Sequence, residues 1–274
     1  MRRFAFTLVE LLVVIAIIAL IMAMLVPALR TARLQAKAVI CSSNIRQIQI
    51  SLALYENSNG VFPHGFIEDD TALMLMGDLA GNHAGDPFVD RIGKWWFQIL
   101  GYTFDASDTA SRVLWCPSRC VKDTFMQNVL CGNYGVNRAI CKDANIPNSS
   151  SFGEYVGNAL GVSKISRPEN KLLIVDSGYS LISWQGATDA AVRHYETIRE
   201  QSFYVPGIKA NNERNFFSEH RNDAINGRHL RKTVNAGYAD GHTKRLKAKE
   251  LFVPKENISP AIYKTWMPNQ IISQ

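Results

Sequence analysis

The hydrophobic pattern of this chain is dominated by residues 6–25, which are almost continuously apolar. This stretch contains no glycine and no proline, and Glu10 is its one charged residue. An α-helix of this length spans about 30 Å, which is the thickness of the hydrocarbon core of a bilayer. The pattern therefore predicts a transmembrane helix over residues 6–25, behind a short basic leader of residues 1–5.

After Pro27 the pattern becomes amphipathic, and we predict that the helix continues to about Asn57. Apolar side chains recur there at alternating spacings of four and three, which places them on one face of a helix. These positions are Leu34, Ala38, Cys41, Ile45, Ile48, Leu52 and Tyr55. The intervening residues, Asn44 among them, form a mostly polar remainder. The stripe fits packing on a sheet of the same chain or a two-stranded coiled coil. We favour the first because the stripe is short and contains small residues.

Beyond the helix the chain changes to short strands and loops, which predicts an α+β fold with an antiparallel sheet and loop-rich additions. The strongest buried strand is residues 171–178, and Asp240–Gly241 between two extended runs predicts a hairpin whose turn residues both have positive φ. Weaker predictions are a strand over 113–116, an extended piece over 133–137, a surface insertion over 67–93 and a wrapping or extended tail from Phe252.

One aromatic cluster lies at residues 95–100, with two adjacent tryptophans and a phenylalanine. We interpret these rings as an anchor of the soluble core and rank a ligand platform below that interpretation.

The net charge of +6 gives little indication of a partner. Loss of the leader removes Arg2 and Arg3, so the remaining chain carries 28 − 24 = +4. The excess is spread along the chain without a basic stripe interleaved with aromatics, so we expect no nucleic-acid binding. Arg30, Arg33 and Lys37 follow the apolar span closely and are placed to touch anionic lipid headgroups.

Residues 5–10 closely resemble the processing site of type IV prepilins and type II secretion pseudopilins. The resemblance implies that a prepilin peptidase cuts between Ala5 and Phe6 and N-methylates Phe6. Glu10 and Pro27 then fall at the fifth and twenty-second mature positions, both typical of pilins. A carboxylate inside an apolar span needs a partner, and the resemblance implies that Glu10 pairs with the Phe6 amine of a neighbouring subunit. One departure is Ala5, where glycine is usual.

Basic residues lie on both sides of the span, so charge alone does not decide its orientation in the membrane. The resemblance does imply an orientation. It places the leader in the cytoplasm, a single span in the inner membrane, and the rest of the chain in the periplasm or outside the cell in a filament. Residues 26–57 are then the extracytoplasmic half of the N-terminal helix, and residues 58–274 are a globular pilin-like domain.

Several later segments resemble a large family of pilin-like proteins from diderm bacteria. They are residues 44–48, 59–63, 116–118 and 176–177. The C-terminal signature of that family is a histidine followed, after nine residues, by Asp-Gly. Here His229 precedes Asp240 and Gly241 with ten residues between them, an insertion of one.

Five cysteines would face an oxidising compartment in this topology, which favours disulfides over zinc. They are Cys41, Cys116, Cys120, Cys131 and Cys141. Because Cys41 and Cys116 match family positions, the resemblance implies that they pair and staple the helix to the sheet. Two of the other three would form a second bridge. A four-thiolate zinc site of the last four cysteines is disfavoured, since only one pair is closely spaced.

Metal and catalytic motifs are weak in this sequence. His229, Asp240 and His242 lack the ligand spacing of a zinc site, and a calcium loop would need Asp176, Glu219 or Asp223 from elsewhere. We favour a structural hairpin with His229 bonded to backbone, and expect no bound metal and no cofactor. No nucleophile elbow, phosphate-binding loop or zinc-protease helix is present, so an enzyme is disfavoured.

The function predicted is that of a structural subunit, assembled with other pilins or pseudopilins into a type IV pilus or a type II secretion pseudopilus. The alternative is a surface module that binds a glycan or another polymer and uses the pilin-type anchor for export. The size of the chain and its aromatic, loop-rich middle suggest that alternative.

Overall fold

The structure is a computed structural model that describes residues 7–68, 93–102, 110–118, 134–144, 155–177, 180–184, 227–251, 253 and 262–269. One long helix, α1 (Leu8–Asn59), precedes a set of short strands. These strands are β1 (Phe66–Glu68), β2 (Gly93–Trp95), β3 (Tyr134–Asn137), β4 (Leu172–Asp176), β5 (Leu181–Ile182), β6 (Thr233–Tyr238) and β7 (Thr243–Lys247). Short helices follow two of them, α2 (Trp96–Ile99) after β2 and α3 (Ala248–Leu251) after β7. The predicted α+β class is confirmed.

Helix α1 is a single helix of 52 residues that runs through Pro27. It ends two residues beyond the predicted Asn57, where Gly60 adopts a left-handed conformation (φ 74°) and donates its N–H to the Glu56 carbonyl. Glycine suits this cap because a Cβ disfavours positive φ. By length and composition α1 is able to cross a membrane, and its most apolar window is entirely exposed.

The second half of α1 packs on the sheet through the predicted stripe. Ala38, Cys41, Ile45, Ile48 and Leu52 are buried, and their main partner is β6. This confirms packing on the chain's own sheet rather than a coiled coil.

Two polar residues of α1 are also buried, Asn44 and Gln49. The Asn44 amide donates to the Trp115 carbonyl (3.0 Å) and to the Tyr134 hydroxyl (3.1 Å). Asn44, one of the polar residues between the positions of the apolar stripe, is therefore buried and hydrogen-bonded at the junction of helix and sheet.

The main sheet has five strands in the order β5-β3-β4-β6-β7. All neighbours are antiparallel except β3 and β5, which are parallel. The best predicted strand becomes β4 near the centre of the sheet, and all its residues are buried. A separate two-stranded sheet pairs β1 with β2.

The aromatic cluster lies in the hydrophobic core, as interpreted from the sequence. Trp95, Trp96 and Phe97 are each at most 2% exposed, and the Trp96 indole donates to the Ser180 carbonyl (2.8 Å). The tail adds Trp266 to the same core.

One predicted strand is wrong, and two other predicted segments have different outcomes. Residues 113–116 do not form a strand, because a 3₁₀ turn over Ala110–Leu114 runs up to Trp115, whose N–H bonds the Arg112 carbonyl. In the tail, predicted to be a wrapping or extended segment, Ile262–Trp266 form a π-helical turn, and Trp266 is buried in the core. Most of the predicted insertion over 67–93 lies outside the described residues.

The hairpin turn also differs from the prediction, although the β6–β7 hairpin itself is confirmed. Gly241 has positive φ (93°), but Asp240 does not. Residues 239–242 connect the two strands, the Gly241 N–H bonds to the Tyr238 carbonyl, and among these four residues only Gly241 has a left-handed backbone.

Candidate functional site

The start of α1 is closed by a reciprocal cap between Thr7 and Glu10. The Glu10 carboxylate accepts hydrogen bonds from the Thr7 backbone N–H (2.9 Å) and from the Thr7 hydroxyl (2.8 Å). In return, the Glu10 N–H donates to the Thr7 hydroxyl oxygen (3.3 Å). The single carboxylate of the apolar span is therefore bonded within its own chain. The predicted cleavage residues Ala5 and Phe6 lie outside the described residues.

Pro27 lies in the exposed part of α1, between the apolar span and the buried stripe. It lacks an N–H, so one backbone hydrogen bond of the helix is missing at this point. The Thr31 hydroxyl donates to the Pro27 carbonyl (3.1 Å), which gives that carbonyl a local partner.

The junction between helix and sheet contains a disulfide between Cys41 and Cys116, the pair suggested by the family resemblance. Their Cα atoms are 5.3 Å apart, and both residues are buried. This bond ties the middle of α1 to the segment that follows the 3₁₀ turn.

Asp176 and His229 form a buried pair beside this disulfide. One carboxylate oxygen of Asp176, Oδ2, is 2.9 Å from His229 Nε2 and accepts the Asn235 backbone N–H at 2.6 Å. The Asn235 side chain in turn donates to the Ala38 carbonyl of α1 (3.2 Å). The pair thus joins β4, β6 and the helix in one hydrogen-bond network.

The expectation that the His229 side chain bonds to backbone is wrong, since its partner is the Asp176 carboxylate. His229 and Asp240 are separated by the full length of β6, which spans about 20 Å. At the hairpin tip the His242 ring lies 2.6 Å from Asp240 Oδ1 and stacks on the Tyr238 ring, with centroids 4.4 Å apart. The considered trio of His229, Asp240 and His242 is therefore not assembled.

A different set of potential ligands does converge at the junction. One ligand atom from each of Cys41, Cys116, Asp176 and His229 lies within 4.8 Å of the other three, and all four residues are buried. In the disulfide state both sulfurs are bonded to each other. Of the considered calcium ligands, Asp176 belongs to this cluster, while Glu219 and Asp223 lie outside the described residues.

Cys141 is a buried free thiol. Burial raises the pKa of this thiol far above its ordinary value, and the nearby Asp143 raises it further. Cys141 therefore does not take part in the expected second bridge. Cys120 and Cys131 lie outside the described residues. A four-thiolate zinc site that includes Cys116 is incompatible with the Cys41–Cys116 bond.

An open basic groove lies on the surface between α1 and the β6–β7 hairpin and has a volume of about 550 Å³. Its walls include Gln35 and Val39 from the helix and Arg231, Arg245 and Lys247 from the hairpin side. The lining of the groove contains three cationic side chains and one carboxylate, so its net positive charge favours anionic ligands.

Sequence reasoning missed the polar contacts that hold the helix on the sheet. The Gln49 amide donates to the carbonyls of Tyr238 (2.9 Å) and His242 (3.2 Å). The available signal was position alone, since Gln49 follows Ile48 at the edge of the apolar stripe.

Residues 1–26 match the family model described as the prokaryotic N-terminal methylation motif. No curated protein and no solved structure matches the chain. The match covers the predicted processing site, Glu10 and the whole apolar span of residues 6–25. Together with the one helix among the described residues that is long and apolar enough to cross a membrane, it indicates an N-terminal membrane anchor. The N-terminal segment of the chain is therefore similar to that of type IV pilin-like precursors, which prepilin peptidase processes.

Proposed function

We propose that this protein is a structural pilin or pseudopilin subunit, cleaved between Ala5 and Phe6, N-methylated on Phe6 and assembled into a filament. The observation that carries the proposal is the division of α1 into two halves. The methylation motif covers an apolar half that is exposed among the described residues, while the second half is packed on the main sheet.

An apolar helix that is exposed in the described part of the structure is suited first to lipid and then to packing against the same helix of other subunits. Repeated head-to-tail contacts between identical subunits do not close, so they produce helical filaments. In this arrangement the Glu10 carboxylate meets the Phe6 amine of a neighbour, and residues 58–274 lie on the outside of the filament.

The proposal is tested by mass spectrometry of the N-terminal peptide from two fractions, the cell envelope and the material sheared from the cell surface. The expected result is N-methylated Phe6 in both fractions. A variant with Phe6→Asp provides the matched control, because it changes the cleavage site and leaves the globular domain untouched. An intact Met1, or processed protein confined to the envelope, contradicts assembly into a surface filament.

A second candidate is a membrane-anchored module that binds an anionic polymer. The aromatic cluster no longer supports it, because the rings at residues 95–97 are buried. The basic groove lined by Arg231, Arg245 and Lys247 is the observation that favours it. Salt-sensitive binding of polyanionic glycans by the full chain in detergent, lost in Arg245→Gln, would support this second function.

A further inference from the structure

The junction of α1 with the sheet holds four potential metal ligands in one buried cluster. Ligand atoms of Cys41, Cys116, Asp176 and His229 all lie within 4.8 Å of one another. Tetrahedral zinc with thiolate and imidazole ligands places its donor atoms roughly 3.3–3.8 Å apart. Small side-chain movements therefore bring all four groups into coordination distance once the two sulfurs are separate.

The donor set has a definite preference among metals. Two sulfurs, one imidazole nitrogen and one carboxylate oxygen suit Zn²⁺ and similar thiophilic cations. Calcium and magnesium prefer a shell made of oxygen atoms, which this cluster does not offer. The cluster also lies entirely in the interior, as structural zinc sites with four protein ligands commonly do.

Two atoms of the cluster provide independent support for a ligand. Asp176 Oδ1 and His229 Nδ1 are buried and have no hydrogen-bond partner among the described residues. A buried polar atom without a partner is costly and rare in folded proteins. For both side chains to ligate one ion, the hydrogen bond between Asp176 Oδ2 and His229 Nε2 has to open, and the neutral imidazole then offers a nitrogen lone pair to the ion.

We propose that, when the Cys41–Cys116 bond is reduced, Cys41, Cys116, Asp176 and His229 bind one thiophilic divalent cation, with Zn²⁺ as the reference ion. Reduction by a dithiol or phosphine adds two electrons and two protons and breaks the S–S bond. Binding of Zn²⁺ then releases those two protons and forms two zinc–thiolate bonds. Two thiolates and one carboxylate give the zinc site a net charge of −1.

The disulfide and the metal are in this view alternative cross-links at one position. Both join the middle of α1 to the segment after the 3₁₀ turn, and the metal adds β4 and the segment before β6. The site is independent of filament assembly, because its residues belong to the globular half of the structure.

The test uses the full chain in detergent micelles, reduced with a phosphine, exposed to Zn²⁺ and then desalted. We expect one zinc per reduced chain, none in the oxidised chain, and a higher unfolding temperature of the reduced chain with zinc than without it. In wild-type protein, zinc should protect Cys41 and Cys116 from alkylation, as read by peptide mapping. Co²⁺ in place of Zn²⁺ should show thiolate charge-transfer absorption.

Two conservative variants supply the controls, Asp176→Asn and His229→Gln, and each should weaken zinc binding by roughly 10-fold or more. Zinc binding by both variants that equals wild-type binding, or zinc-dependent protection of Cys120 or Cys131 in place of Cys41 and Cys116, overturns the proposal. Absence of zinc from the reduced wild-type chain overturns it as well, whether that chain stays folded or unfolds without recovery on zinc addition. Alkylation mapping uses the wild-type chain, so it tests the proposal even if a variant fails to fold.

Discussion

The carboxamide of Gln49 occupies the space that a side chain on Gly237 would need. A Cβ added to Gly237 would lie 2.5 Å from Gln49 Nε2 and 2.8 Å from Oε1. Glycine at this point of β6 therefore lets α1 approach the strand closely enough for Gln49 to reach the Tyr238 carbonyl. The absence of a Cβ at Gly237 is therefore what allows close contact between the helix and the hairpin at this point.

Gly237→Ala should destabilise the protein by about 1–3 kcal/mol, because the added methyl group displaces a buried carboxamide from its hydrogen bonds. Thermal unfolding of the full chain in detergent measures the effect. Gln49→Ala provides the matched partner for a double-mutant cycle. If the two changes add independently, the close contact between them does not carry the effect.

Replacing both Cys41 and Cys116 with serine should lower the free energy of unfolding by about 2–5 kcal/mol. The disulfide closes a loop with a sequence separation of 75, so its loss frees much conformational entropy in the unfolded chain. Added reductant should destabilise the wild-type protein and leave the double variant unchanged. Non-reducing peptide mapping that finds Cys41 as a free thiol contradicts the pairing.

Cys141 should resist alkylation in the folded protein and react only after unfolding. Its side chain is fully buried, and its pKa is raised by burial and by Asp143, so little thiolate is available to react. Mass spectrometry after timed treatment with iodoacetamide measures this, with the unfolded chain as the positive control. Rapid labelling of Cys141 under native conditions contradicts the burial of this thiol.

Glu10→Ala should leave membrane insertion intact and block incorporation into filaments. The substitution makes the span more apolar, which favours insertion, but it removes the carboxylate proposed to meet a neighbour's amine. Fractionation of envelope and sheared material measures both properties. Val13→Ala is the matched control, since it truncates another exposed side chain of α1 without changing charge. Normal incorporation of Glu10→Ala refutes the proposed pairing.

The features that the sequence predicted well are those with a strong period or a strong local motif. The stripe from Ala38 to Leu52, the run that becomes β4 and the Asp240–Gly241 hairpin depend mainly on nearby residues. The processing segment is likewise local. Gln49 and Asn44 were missed because their partners are distant in sequence, and a polar residue at the edge of an apolar stripe does not reveal a buried carbonyl beside it.

The junction cluster illustrates the same limit. Asp176 and His229 are 53 residues apart in sequence, and the cysteines come from two further segments. No spacing rule joins four ligands from four separate elements, so the convergence becomes visible only in three dimensions. The 3₁₀ turn before Cys116 was mistaken for a strand because its apolar residues are too few to show a period.

The contacts that hold α1 on the sheet have a consequence for the order of synthesis. Gln49 and its acceptor Tyr238 are separated by 189 residues, so the ribosome completes the helix long before it makes the strand that covers it. At typical translation rates this interval is roughly 10–40 s. During that time the part of the apolar stripe that packs on β6 and β7 has no native cover. A nascent chain anchored early in the membrane therefore needs protection until its last strands emerge, and a prematurely terminated chain would retain the anchor without its folded domain.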